Sequence, residues 1–221
     1  MRKYLLALFC GILFPLGFAP FDYWPLTIVS ISLALYLISE KVENNTFLLG
    51  LFYGIGQWGF GISWVYVSIH YHGNQGIFSS LFITSVFILF LSLYTGLTFY
   101  LLKKFETSNK NFNYLIIFPV VWVTVEVIRS YLFTGFPWLI VGGSLAGTSV
   151  GGWIPILGIY GASILSVMIS SCLVLLFKNK RKMYWSPALI IVIILLSSFT
   201  LSKINWTKEI STIQASIYQP N

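Results

Sequence analysis

Between Lys110 and Lys178 the chain carries only two formal charges, Glu126 and Arg129. No water-soluble domain is built from such a stretch, because a soluble chain carries about one charged residue in four. The same poverty of charge holds for all 221 residues, of which 57% are hydrophobic and 9% charged, with a mean hydropathy of +0.84. Apolar runs long enough to cross a hydrocarbon core of about 30 Å recur along the whole length. Hydropathy therefore predicts an all-α polytopic membrane protein of about seven transmembrane helices. The expected spans are 4–19, 25–39, 47–69, 77–102, 112–133, 153–177 and 184–202. Residues 1–202 form one helical domain in this reading.

The net charge of +7 could suggest nucleic acid, but the basic residues sit in short clusters between apolar runs, which argues against it. Placing the N-terminus in the cytoplasm puts Arg2, Lys3, Lys41, Lys103, Lys104, Lys110, Lys178, Lys180, Arg181 and Lys182 inside. Only Lys203 and Lys208 then face outward. That asymmetry sets the orientation, with the C-terminal tail on the outer side. The N-terminal run resembles a signal peptide, but no small-residue cleavage site follows, so it reads as an uncleaved first helix. Cys10 and Cys172 lie in apolar runs without metal-type spacing or a nearby base, and read as small buried hydrophobes.

Glu126 and Arg129 are the exception inside the apolar stretch. Each costs about 2.5–3.5 kcal/mol at the centre of a lone spanning helix. At i, i+3 they share a helix face and are expected to neutralise each other. The segment FTGFPW at 133–138 then breaks the helix, and residues 134–152 form an uncharged, glycine-rich loop. Such a loop disfavours water, while its backbone disfavours lipid, so it should fold back on the bundle or line a cavity at the outer face. Arg129, whose guanidinium matches phosphate geometry, is a candidate for drawing in an anionic headgroup while Glu126 orients it. The bland alternative is a pair that fixes helix packing.

Other motifs carry less. GIGQWG at 54–59 matches a dinucleotide fingerprint but lies inside a span without a βαβ unit, so these glycines, with Gly50 and Gly61, read as close-packing positions. His70 and His72 lack a third metal ligand and fit an interfacial role, with lipid or substrate contact as the functional option. Residues 203–221 turn polar, and 209–218 alternate enough to predict one β-strand. No Ser-His-Asp, Cys-His or metal-ligand set is evident. No catalytic residue, metal or cofactor is expected from the residues alone.

The residues GFAPFDYWP at 17–25, SWVYVSI at 63–69, 122–126 with Arg129, and FTGFPW at 133–138 resemble apolipoprotein N-acyltransferase, in that order. GIYG at 158–161 and IQASI at 213–217 also fit, the latter resembling the first strand of the family's periplasmic domain. The resemblance implies a multi-pass protein of the bacterial inner membrane with a periplasmic tail. It implies lipoprotein maturation, in which an acyl chain passes from a phospholipid, through a cysteine thioester, to the α-amino group of a lipidated N-terminal cysteine. The bilayer, a phospholipid acyl donor and a diacylglyceryl apolipoprotein acceptor are the implied partners. The family's Glu-Lys-Cys triad sits in a nitrilase-like α/β domain that this sequence reaches only at its first strand. No residue here is assigned to the triad, and the isolated chain is expected to be inactive. The expected task is substrate holding by Glu126, Arg129, Phe136, Pro137, Trp138, Trp64, Tyr66 and His70. A non-enzymatic lipid- or lipoprotein-binding protein is the alternative, as is the membrane subunit of a split acyltransferase with a separate nitrilase-like chain. A transporter comes last, since no internal repeat is visible.

Overall fold

The computed structural model describes residues 1–39, 45–178 and 185–219. These residues fold into helices and loops, with no strand among them. Helix α1 is Arg2–Leu13, extended by a 3-10 turn at Phe14–Gly17. Helix α2 covers Trp24–Ile38, α3 Thr46–Gly61 and α4 Trp64–Val67, the last running into a π turn at Ser68–His72. Helix α5 is Ile77–Lys104. The short α6, Lys110–Phe112, joins α7, Phe118–Tyr131, through a π turn at Asn113–Ile117. Helices α8, Ile154–Lys178, and α9, Trp185–Leu201, complete the bundle.

Local chemistry explains several boundaries. The Asn45 side chain caps α3 by accepting the Leu48 N–H at 3.2 Å, and Asn109 caps α6 in the same way at Phe112. Pro25 enters at the first turn of α2, where its missing N–H costs nothing. Pro119 lies in the first turn of α7, and the wide π turn just before it accommodates the lost hydrogen bond.

Helical segments occupy all seven expected ranges among the described residues. Three of them, Ile77–Lys104, Lys110–Thr134 and Ile154–Lys178, are long and apolar enough to cross a membrane. The apolar helices Trp24–Ile38 and Trp185–Leu201 are shorter. At 1.5 Å per residue the former rises only about 22 Å. The third expected range is not one helix, because the chain bends at Ile62 and Ser63 before α4. Lys41, Lys180, Arg181 and Lys182, on which part of the orientation argument stands, lie outside the described residues.

Helix α3 is the centre of the bundle, packing against α5 on one side and α1 on the other. Glycines make both contacts close. A Cβ on Gly56 would lie 2.1 Å from the Leu8 carbonyl, and one on Gly54 2.8 Å from Ser92 Cα. Gly59 departs from the close-packing expectation, as it faces open space. Hydrogen bonds stitch the helices where apolar burial gives no discrimination from lipid. The Ser30 hydroxyl donates to the Cys10 carbonyl at 2.6 Å and meets the Tyr53 hydroxyl at 2.7 Å. Ser170 donates to Ile28 O at 3.1 Å, tying α8 to α2. Cys10 and Cys172 are both buried and unbridged.

The connections gather at two ends. At one, the Lys178 ammonium reaches Ser39. At the other, the 18–23 link, α4 and the 135–153 loop meet, with Phe21 stacked on Phe60 at 5.9 Å and Trp64 against Trp138 at 5.4 Å. The glycine-rich loop does fold back: its 3-10 turn Val141–Leu145 is largely buried against α8. The strand expected over 209–218 does not form in the described residues, which carry no regular element, and Ile213 and Ile217 are 90% and 95% exposed. A lone alternating segment has no neighbour to satisfy its backbone, so sequence alternation alone does not make a strand.

Candidate functional site

A large cavity lies where the second set of connections meets. It has a volume of about 510 Å³, with the 15–22 link on one wall and the 137–146 loop on the other. Phe18, Phe60, Trp64 and Trp138 give it an aromatic lining, and Asp22 is the titratable side chain among the lining residues. Asp22 holds φ +57, in the left-handed region that Asp tolerates better than most residues. A cleft of this size, apolar within and rimmed by Trp, suits a long apolar chain with a polar end.

The loop that makes the second wall is held in a strained path. Phe133, Thr134, Gly135 and Leu139 have φ of +54, +69, +79 and +52. Such backbone costs about 1–3 kcal/mol at a non-glycine residue and persists only where surroundings over-determine it. Here four bonds do so. The Phe136 N–H donates to Arg129 O at 3.0 Å, and the Arg129 guanidinium donates in turn to the Phe136 carbonyl. The Glu126 carboxylate accepts the Val141 N–H at 3.0 Å, and the Ser163 hydroxyl accepts Gly142 N–H at 2.8 Å.

The pair shares a helix face as expected, but its hydrogen bonds go to the loop. Glu126 and Arg129 share a face of α7, yet no ion pair joins them. Each instead reaches the loop, because buried backbone groups there have no helix to satisfy them. Both are buried, at 6% and 4% exposure. Arg129 lies 4.8 Å above the Trp58 ring, a stacking that suits a desolvated guanidinium. Phe136 fills the space beside it, 5.1 Å from Phe87 and 6.3 Å from both Trp58 and Trp138.

The expected site residues thus fall into three groups. Trp64, Pro137 and Trp138 line the cleft. Glu126, Arg129 and Phe136 stand behind the loop and hold it. Tyr66 and His70 stack on each other at 5.4 Å, His70 Nδ1 lies 2.7 Å from the Gln75 carbonyl, and neither lines the cleft. No group of three His, Cys, Asp or Glu gathers around them among the described residues. Phe18, Asp22, Gly143 and Ile159 also line the cleft, and none of them is among the expected site residues. Phe18 and Asp22 lie in the 17–25 motif and Ile159 in the 158–161 motif, which carry the family resemblance without singling out those side chains.

Residues 10–173 match the apolipoprotein N-acyltransferase N-terminal domain. The chain belongs to the apolipoprotein N-acyltransferase family. It is 38% identical to the apolipoprotein N-acyltransferase of Coxiella burnetii, over 98% of this chain and 45% of that one. It is 32% identical to that of Methylococcus capsulatus, over 94% and 41%, and 31% identical to that of Vibrio cholerae, over 99% and 44%. The chain therefore spans less than half the length of these apolipoprotein N-acyltransferases. The matched domain contains the whole cleft, the buried Glu126 and Arg129, and the loop they hold.

Proposed function

We propose that this chain is the membrane part of an apolipoprotein N-acyltransferase and holds the lipid substrates of lipoprotein maturation. The cleft takes the apolar chains of the phospholipid donor and of the diacylglyceryl apolipoprotein acceptor, and their polar ends lie at its rim. The observation that carries this reading is the 510 Å³ aromatic cleft, walled by two family motifs, 17–25 and 133–138. Trp64, Pro137 and Trp138 contact the lipid in this reading. Glu126, Arg129 and Phe136 are positioning residues, which fix the wall without reaching the open cleft. Asp22 on the opposite wall offers an acceptor to an ammonium group at the rim. The acyl-transfer chemistry belongs to a nitrilase-like domain, as the family resemblance implies.

Seven spans in a bacterial inner membrane, with the N-terminus cytoplasmic and residues 203–221 periplasmic, complete the proposal. The cleft then opens at the periplasmic face, where both substrates expose their reacting groups. The clustering of Lys103, Lys104 and Lys110 away from the cleft end supports this orientation.

Photo-crosslinking tests the reading. The chain is reconstituted in phospholipid vesicles containing a diacyl phospholipid with a photoreactive acyl tail. Labelling is expected at Phe18, Trp64 and Trp138, and a diacylglyceryl-cysteine peptide should compete for it. A Gly143→Trp variant, which fills the cleft floor, should lose the labelling. Labelling spread evenly over the lipid-facing surface of α5, with none at the cleft, would overturn the assignment.

A further inference from the structure

The loop over residues 135–152 carries six glycines, and its backbone requires five of them. Gly135 and Gly147 hold φ of +79 and +75, where a side chain is strained. Gly142, Gly151 and Gly152 lie against backbone carbonyls, so that a Cβ on them would sit 2.1, 2.4 and 2.0 Å from an oxygen. Gly143 is the exception. It stands in the 3-10 turn Val141–Leu145 with φ outside the left-handed region. A Cβ there would come no closer than 3.4 Å to any atom beyond its immediate neighbours in the chain. Alanine fits this position, and a helical turn favours it over glycine.

The reason lies in the cleft. Gly143 lines it, and the two atoms that a Cβ would touch are Ile159 Cδ1 at 3.4 Å and Phe18 Cε1 at 3.5 Å, both from lining residues. Phe18 belongs to the opposite wall. One methyl group would therefore bridge the two walls at this point. No chain of methylenes passes between them, and Gly143 marks a closed end. No third atom lies within 4 Å, so the rest of that methyl would project into the open cleft. Gly61, also in the lining, is different: its Cβ would meet Leu139 Cδ1 at 2.4 Å, and packing alone excludes it.

We infer that Gly143 determines the acyl-chain length that the cleft accepts, because the terminal methyl of a lipid tail stops in the space that a side chain here would fill. This rests on the lipid reading of the cleft. Apolar contacts along the walls are available to any saturated chain, whereas a closed end distinguishes chains that differ at their tips. The neighbouring residues of the turn do not serve that purpose: Val141 and Leu145 are buried, and Gly142 is sealed against α8. Bulk at position 143 shortens the chain that fits, and glycine admits the longest.

Photo-crosslinking with phospholipids of graded saturated tail length tests it, on the full chain in phospholipid vesicles. Each lipid carries its photoreactive group at one fixed distance from the ester, so that every tail reports from the same depth. Cleft labelling is read at Trp64 and Trp138. In Gly143→Ala the ratio of longest-tail to shortest-tail labelling should fall about tenfold, the lower end of what one methylene is worth in an apolar pocket. Gly143→Val should shift the ratio further, and Gly143→Ser, close to alanine in bulk, serves if neither folds. A length profile unchanged in a folded variant, or labelling lost equally for all lengths, overturns the length-setting role and leaves the lipid reading standing. Absence of cleft labelling in the unsubstituted chain overturns both.

Discussion

The Glu126 carboxylate accepts the Val141 backbone N–H at 3.0 Å across fifteen residues of chain. A carboxylate buried in a membrane helix thus caps a loop while remaining the acidic neighbour of the arginine one turn away. Replacing Glu126 with Leu leaves that N–H buried without a partner, at about 1–3 kcal/mol. It also leaves the Arg129 charge without its acidic neighbour. Glu126→Gln keeps an amide oxygen for Val141 and should lose less. Thermal unfolding in detergent, followed by Trp fluorescence, separates the two. Equal losses would mean that the Val141 bond contributes nothing.

Arg129 and Trp58 form a second coupled pair, with the guanidinium 4.8 Å above the ring. A desolvated cation–π contact of this kind contributes about 2 kcal/mol. A double-mutant cycle with Arg129→Leu and Trp58→Leu should show a coupling of about 1–2 kcal/mol. Arg129→Lys should not restore stability, because the ammonium lacks the planar fork that serves both the ring and the Phe136 carbonyl. Additive losses would count against the stack.

The cleft assignment separates residues that sequence patterning groups together. Trp64→Ala and Trp138→Ala each remove a wall of the cleft and break an aromatic contact of 5.4 Å. Retention of a bound diacyl lipid in native mass spectrometry should fall by a few-fold to about tenfold, the range of one aromatic contact. Tyr66→Ala and His70→Ala lie outside the cleft and should leave retention unchanged. The opposite pattern would move the site to the α4 end.

Helix contacts give a contrast within one motif. Gly56→Ala places a methyl 2.1 Å from the Leu8 carbonyl and must push α1 away from α3. Overpacking of this kind costs about 1–3 kcal/mol. Gly59→Ala meets nothing within 4 Å and should be neutral or stabilising by about 0.5–1 kcal/mol, the helix preference of Ala over Gly. A denaturation midpoint for each variant checks the pair.

Much of the helical layout is legible in the chain because burial in lipid is a local, additive property. Residues 77–102 and 153–177 read as helices from composition alone, and α5 and α8 occupy them within a few residues. The fold-back of the 134–152 loop is legible too, since uncharged backbone rich in glycine suits neither solvent. The break at Ile62 and Ser63 is not, because apolar content continues through it. The strand over 209–218 is misread because alternation records a face to be buried, and the described residues supply nothing to bury it against.

Sequence alone determined that this chain is helical, apolar and a member of its family, since hydropathy and motif order are properties of neighbouring residues. Tertiary structure decided what Glu126 and Arg129 do. Spacing on α7 makes an ion pair available, but the strained loop brings the Val141 N–H and the Phe136 carbonyl within reach, and a buried charge is held best by groups that otherwise have no partner. It also decided the cleft, where Asp22 and Trp138 lie more than a hundred residues apart in sequence yet line one wall each. Which distant groups meet depends on how helices cross, and no local pattern encodes that.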